Sequence, residues 1–168
     1  YWQNQAAALT FPDQALIDGN LRSAQSGQTF AAINPATGQC LANVTACGAE
    51  DVDVAVNNAR QVFEAGTWSA RSPAERKLVL LRLADLIMTH REELALLDSL
   101  NMGKPVMDAY NIDVPGAAGV FRWYAESLDK LYDQIAPSAQ NVLATITREA
   151  LGVVAAVVPW NFPLDMAA

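Results

Sequence analysis

Pro159-Trp160-Asn161-Phe162-Pro163 gathers the most chemistry into the fewest residues of this sequence. A side-chain amide at Asn161, where a β-branched run ends, can donate to an oxygen that gains negative charge during a reaction, and Pro159 and Pro163 would stiffen the loop that aims it. Taken bare, the same residues also fit a plain turn with packed aromatics, because Asn between prolines tolerates turn geometry and Trp160 and Phe162 bring apolar area. Other reactive groups are few. Cys40, Cys47 and the single histidine, His90, cannot assemble a zinc finger or a disulfide framework, so no metal site is expected. His90, inside Thr89-His90-Arg91-Glu92-Glu93, reads as a solvated helix residue. Lys104 lies between Gly103 and Pro105 without the upstream glycine and following Ser/Thr of a phosphate loop, and reads as part of a helix terminator. Phe121, Trp123 and Tyr124 fall within one helical turn and are expected in the core.

The elements that position these groups follow from pattern. The 168 residues suit one domain or slightly more, and the 52% hydrophobic and 17% charged fractions are those of a chain that buries a core. A formal net charge of −7 argues against nucleic acid or an anionic membrane surface as partner. The longest apolar run, Val153 to Val158, is far short of the roughly 20 residues of a membrane span, so a soluble, reducing-compartment protein is expected. Asp18-Gly19 between Ala15-Leu16-Ile17 and Leu21-Arg22-Ser23 predicts a hairpin, since both turn residues tolerate positive φ. Asn34-Pro35-Ala36-Thr37-Gly38 predicts a second turn between strands at Thr29 to Ile33 and Leu41 to Ala46.

From Glu50 the period becomes helical, with Val52, Ala55, Val56, Ala59, Val62 and Phe63 on one face and Gly66 closing the run. Ser72-Pro73-Ala74-Glu75 predicts a capped helix start, followed by a face of Val79, Leu80, Leu83, Leu86 and Ile87 and then by Leu94, Leu97 and Leu100 up to Gly103. A further helical pattern over 107–132 is expected to break near Asp113, because Pro115 removes a backbone donor. Leu143 to Arg148 alternates as a half-buried strand, and Val153 to Val158 predicts a strand buried on both faces, the opening strand of a parallel α/β sheet. Open sheets of this class bind ligands where such a strand leaves the sheet, which is where Asn161 falls.

Several motifs in order resemble the aldehyde dehydrogenase superfamily: Asn34-Pro35-Ala36-Thr37-Gly38, Arg76 with Leu83-Ala84-Asp85-Leu86, Gly103-Lys104-Pro105, Arg122-Trp123-Tyr124-Ala125, Arg148-Glu149 with Leu151-Gly152-Val153, and Pro159 to Pro163. The resemblance covers nearly the whole chain. It implies the N-terminal part of a subunit with a Rossmann-type cofactor domain: strands and helices over 1–133, part of a bridging, oligomerising extension over 134–150, and over 151–168 the first cofactor-domain strand with its oxyanion loop. It implies the oxyanion role for Asn161 and a nicotinamide cofactor site, NAD or NADP with NAD favoured, lined by Val157, Val158, Pro159 and Trp160. Its chemistry is attack of a cysteine thiolate on an aldehyde, hydride transfer to NAD(P)+ and hydrolysis of the thioester. The family's nucleophile sits in a Gly-Gln-x-Cys setting that neither Cys40 nor Cys47 matches, so both are read as structural and the 168 residues alone are expected to be inactive.

Tyr1-Trp2-Gln3, Val62-Phe63-Glu64 through Trp68-Ser69, and Ile112 to Ala117 look like the branch that oxidises γ-glutamyl-γ-aminobutyraldehyde in polyamine breakdown. Phe162, Asp165 and Met166 would line the aldehyde tunnel, and an acid at 165 suits a substrate bearing an amine. Asp113 is a second candidate acid at the tunnel mouth, or equally a helix cap. The expected partners are a small aldehyde and, at full length, further copies of the same subunit, in the cytoplasm. The opening Tyr1 and the incomplete ending both read as cut, which leaves a non-catalytic interaction or assembly fragment as the alternative.

Overall fold

The computed structural model describes all of residues 1–168. Short helix α1 (Trp2–Ala8) precedes two antiparallel hairpins, β1 (Ala15–Ile17) with β2 (Asn20–Arg22), and β3 (Thr29–Ile33) with β4 (Cys40–Thr45). Asp18 and Gly19 take φ of 56° and 68°, the positive pair that a two-residue hairpin requires. In the second turn Asn34 Oδ1 accepts from the Ala36 N–H at 2.9 Å and Asn34 O from the Gly38 N–H at 2.8 Å, so the Asn side chain and backbone fold the turn together. Both turns match their sequence signals.

Helices α2 (Ala49–Glu64), α3 (Pro73–Thr89) and α4 (Arg91–Met102) follow. Asp51 in the first turn of α2 accepts from the Gly48 N–H and, across the fold, from the Gln25 N–H, each at 2.9 Å, and so ties the strand region to the helices. The α3 start is the expected capping box, with Glu75 Oε2 accepting from the Ser72 N–H at 2.9 Å and Ser72 Oγ from the Glu75 N–H at 3.3 Å. Its buried face is Ala84 and Ile87, with Leu80 partly covered, whereas Val79, Leu83 and Leu86 of the expected stripe are exposed. The same correction applies to Val52, Val56 and Val62 of α2. The apolar stripe of each helix is wider than the arc its neighbours cover, and periodicity reports the stripe, not the cover.

No break occurs at Asp113. A one-turn helix α5 (Val106–Asp108) leads into a π-helical turn, Ala109–Asp113, and directly into α6 (Val114–Ser127). Pro115 sits in the first turn of α6, where its missing N–H is least costly, and the widened turn before it absorbs the mismatch. Small residues let these helices close: Ala84, Ile87, Ala95, Ala109, Val114 and Ala118 form the buried cluster between α3, α4, the π-helical turn and α6. Arg122 pairs with Asp85, and Lys77 with Asp129 at 2.9 Å, fastening α3 alongside α6 and the residues just beyond it. Phe121 packs against the cluster, but Trp123 and Tyr124, expected in the core, are exposed and meet each other edge to face at 4.8 Å.

A third hairpin pairs β5 (Gln134–Ala136) with β6 (Ala144–Ile146), so the strand expected over 143–148 is shorter and gains a partner that sequence did not indicate. Helix α7 (Pro163–Ala167) ends the chain. Val153–Val158 is not the doubly buried strand expected of it. All three sheets are two-stranded and antiparallel, none offers a parallel neighbour, and the backbone from 153 to 161 makes no backbone hydrogen bond. No helix is long and apolar enough to cross a membrane.

Candidate functional site

Glycine-capped α4 delivers the central residue. Gly103 takes φ of 83° to end the helix, and a Cβ there would lie 2.9 Å from Pro35 Cγ, so the helix end is seated on the β3–β4 turn. Ser99 Oγ donates to Lys104 O at 2.7 Å and fixes the next peptide. Lys104 then reaches inward. Its ammonium pairs with the Asp113 carboxylate at the end of the π-helical turn and lies 3.6 Å from the centre of the Phe162 ring. Asp113 is only 2% exposed, and the ion pair is therefore nearly desolvated. Arg91 supports the same turn from the far side, its Nε donating to Tyr110 O at 2.6 Å and its guanidinium 3.8 Å from the Tyr110 ring centre.

Two further carboxylates surround this pair. Asp98, on α4, is buried with Oδ2 lacking a partner, and it walls a cavity of about 230 Å³ together with Phe11, Ala32, Val44, Asn101 and Pro163. Burial chiefly, and then Asp113, pushes its carboxyl up from the ordinary 3.8 to about 6, with Lys104 opposing. Asp165, in the first turn of α7, has a buried Oδ1 without a partner, and burial followed by Asp113 raises its pKa against the pull of Lys104. Its carboxylate lies flat on α6: a Cβ at Gly116 would stand 2.8 Å from Oδ1 and 3.2 Å from Oδ2.

The Asp98 shift sets a pH dependence. The folded value lies above the free one, so the native state holds this proton more tightly; the stability it contributes is complete below about pH 4 and lost as pH rises through about 6. Asp98→Asn should therefore exceed the wild type by about 1–2 kcal/mol at pH 7–8, screening allowed for, with the advantage fading toward pH 4. Urea midpoints from pH 4 to 8 check this, and parallel profiles for the two proteins would contradict it.

Of the residues singled out by sequence, the structure brings Phe162, Asp165 and Asp113 together around Lys104. Asp113 is interior and paired, not an open acid, and caps no helix with its side chain. Asn161 stands on the exposed turn before α7 with no hydrogen bond to its amide. Val157, Val158, Pro159 and Trp160 run along an exposed arm, Val157 at 99% and Trp160 at 76%. Their backbone groups make no backbone hydrogen bonds and their side chains are open, so the arm can be contacted from outside but by itself encloses nothing. Met166 is half exposed on the outer side of α7. Cys40, Cys47 and His90 are exposed; both cysteines are free, and His90 meets only Glu93, at 3.2 Å.

Sequence reasoning missed Lys104, read only as a terminator, and passed over Asp98 and Gly116. A lysine nine residues before an aspartate carries no local signal of pairing. The available hint was that Gly103 already ends the helix unaided, which leaves Lys104 unexplained.

The chain belongs to the aldehyde dehydrogenase family, whose model matches residues 21–168. Aminoacetaldehyde dehydrogenase of Pseudomonas aeruginosa is 52% identical over 163 residues, which make up 97% of this chain and 33% of that protein. The NADP/NAD-dependent aldehyde dehydrogenase PuuC of Escherichia coli is 47% identical over 164 residues, 98% of this chain and 33% of that one. The crystal structure of gamma-glutamyl-gamma-aminobutyraldehyde dehydrogenase from Burkholderia cenocepacia J2315 superposes with a TM-score of 0.97 at 48% identity, covering 99% of this chain and 34% of the other. The fold is thus the α/β fold of this family, and the chain spans about a third of the length of the curated relatives it matches.

Proposed function

We propose that these residues serve in a longer NAD(P)-dependent aldehyde dehydrogenase whose substrate is a cationic or γ-glutamylated aminoaldehyde of polyamine breakdown, oxidised to the carboxylic acid. The observation that carries the substrate class is Asp165, four residues beyond Asn161, whose carboxylate is partly buried through Oδ1 and has Oδ2 open and unpaired by any donor of the chain. An acceptor in that state gains more from an ammonium donor than a solvated one does. Relatives named for aminoacetaldehyde and for gamma-glutamyl-gamma-aminobutyraldehyde support the same class.

Asn161 donates its free amide to the oxygen of the thiohemiacetal, together with the N–H of a cysteine nucleophile that is neither Cys40 nor Cys47. By themselves the 168 residues are therefore inactive on this reading. NAD(P)+, with NAD+ favoured, supplies the hydride acceptor when bound, and Val157, Val158, Pro159 and Trp160 form one wall of its site. Phe162 and Met166 shape the apolar part of the aldehyde path. Asp113 acts from behind by holding Lys104. Residues 1–133 and 151–168 belong to the cofactor domain, and 134–150, with Ile135 and Leu143 exposed, to an extension that joins copies of the subunit. Two free, exposed cysteines support a reducing compartment, the cytoplasm.

In the full-length enzyme Asp165→Leu should lower kcat/KM for a cationic aminoaldehyde about tenfold or more, the scale of one hydrogen bond to a charged group, with a neutral aldehyde of equal length little changed. Steady-state NAD+ reduction measures both. Equal losses would overturn the substrate class, and no oxidation of any aldehyde would overturn the activity.

A further inference from the structure

A glycine inside an ordinary helix costs about 0.5–1 kcal/mol relative to alanine, so its presence asks for a reason. Gly116 sits in the first turn of α6, follows Pro115, and is not among the positive-φ glycines. Backbone conformation therefore does not require it. Space does: the position its Cβ would occupy is 2.8 Å from Asp165 Oδ1, closer than a methyl group and a carboxylate oxygen can stand, with Oδ2 in tight contact at 3.2 Å, so a methyl there would make the carboxylate shift. Gly119, one turn on, has nothing within 4 Å and shows that the crowding belongs to position 116 alone.

We infer that Gly116 is the specificity-determining residue of this site: by lacking a side chain it lets the Asp165 carboxylate lie against α6, with Oδ1 buried there and Oδ2 left open and unpaired to accept from an aldehyde carrying a primary ammonium group. The inference rests on the proposed activity and extends it to a residue that touches no substrate itself and acts through Asp165. Lys104 completes the arrangement. Its charge is taken up by Asp113 and its remaining face by the Phe162 ring, so it does not close on Asp165 and spend the carboxylate internally. A side chain at 116 pushes Asp165 away from α6, toward water and Lys104, and the preference for an ammonium group goes with it.

Four versions of the full-length holoenzyme test this: wild type, Gly116→Ala, Asp165→Ala and the double variant, each assayed on 4-aminobutanal and on butanal. Gly116→Ala should raise KM for 4-aminobutanal about tenfold, leave kcat within twofold and leave butanal unchanged. In the Asp165→Ala background the added methyl should change the selectivity by less than twofold, since the carboxylate it displaces is gone. Thermal melting accompanies each assay; should Gly116→Ala not fold, Asp165→Glu replaces it, because one added methylene displaces the carboxylate from α6 with no methyl at 116, and the same rise in KM for 4-aminobutanal is expected. Equal effects of Gly116→Ala on both aldehydes, or losses that simply add to those of Asp165→Ala, overturn the role of Gly116 while leaving that of Asp165 standing. A wild type whose preference Asp165→Ala does not alter overturns the substrate class instead, and with it this inference.

Discussion

Lys104→Met is expected to destabilise the chain by about 3–5 kcal/mol, because it leaves the Asp113 carboxylate buried and unpaired in the helical core. The size follows from asymmetry. An intact buried pair contributes little net stability once its desolvation is counted, but half a pair keeps the whole desolvation cost of the remaining ion. Asp98 and Asp165 deepen the penalty, since both lie near enough to repel an ionised Asp113 that has lost its counter-charge. Replacing both partners, Lys104→Met with Asp113→Leu, should return stability to within about 2 kcal/mol of the wild type. Urea unfolding of the three proteins at pH 7 measures this, and a double variant as weak as Lys104→Met would show that something other than the stranded charge is at fault.

On the oxyanion role proposed for it, Asn161→Ala should have the largest effect on catalysis by the full-length enzyme. Loss of one oxyanion donor lowers kcat about 10²–10³-fold, with KM nearly unchanged, because the amide contributes only when the oxygen carries charge. The fold should not notice: Asn161 is exposed and its side chain makes no hydrogen bond within the protein. Asn161→Asp should be at least as damaging, since an acceptor then faces the developing anion. Single-turnover NAD+ reduction in the full-length enzyme, with melting curves alongside, distinguishes this from a packing residue, whose removal would lower stability and leave kcat within a few-fold.

Local chemistry was the legible part. Asp18-Gly19, the Asn34 turn, Ser72 with Glu75 and the Gly103 stop each depend on residues within five positions of one another, and each took the form its types dictate. The break expected near Asp113 failed because a proline in a first turn is compatible with an unbroken helix when the turn before it can widen. The helix faces failed in part for a different reason: Val79 and Leu83 mark an apolar side, but which arc is covered depends on neighbours distant in sequence. Val153–Val158 has strand composition, and composition alone cannot supply the neighbour that a ladder needs. At the site, Asn161, Asp165 and Phe162 were visible as types just after a β-branched run. Residues 98, 104, 113, 116 and 165 become one cluster only when α4, the π-helical turn, α6 and α7 converge, and no spacing in the sequence announces that.

The seating of Gly103 on Pro35 gives the β3–β4 hairpin a second task. Lys104 is the next residue, so the height at which its side chain leaves α4 is set by a turn about seventy positions earlier in the chain. The hairpin works as a fixed stop for the lysine. A longer turn, or a bulkier residue at 103, would move the ammonium along the line joining Asp113 to Phe162 and retune the charge beside Asp165 without altering any acid in the cluster. On the proposed function, variation in a surface loop far from Asn161 is thereby a route by which substrate preference can drift while the reacting groups stay the same.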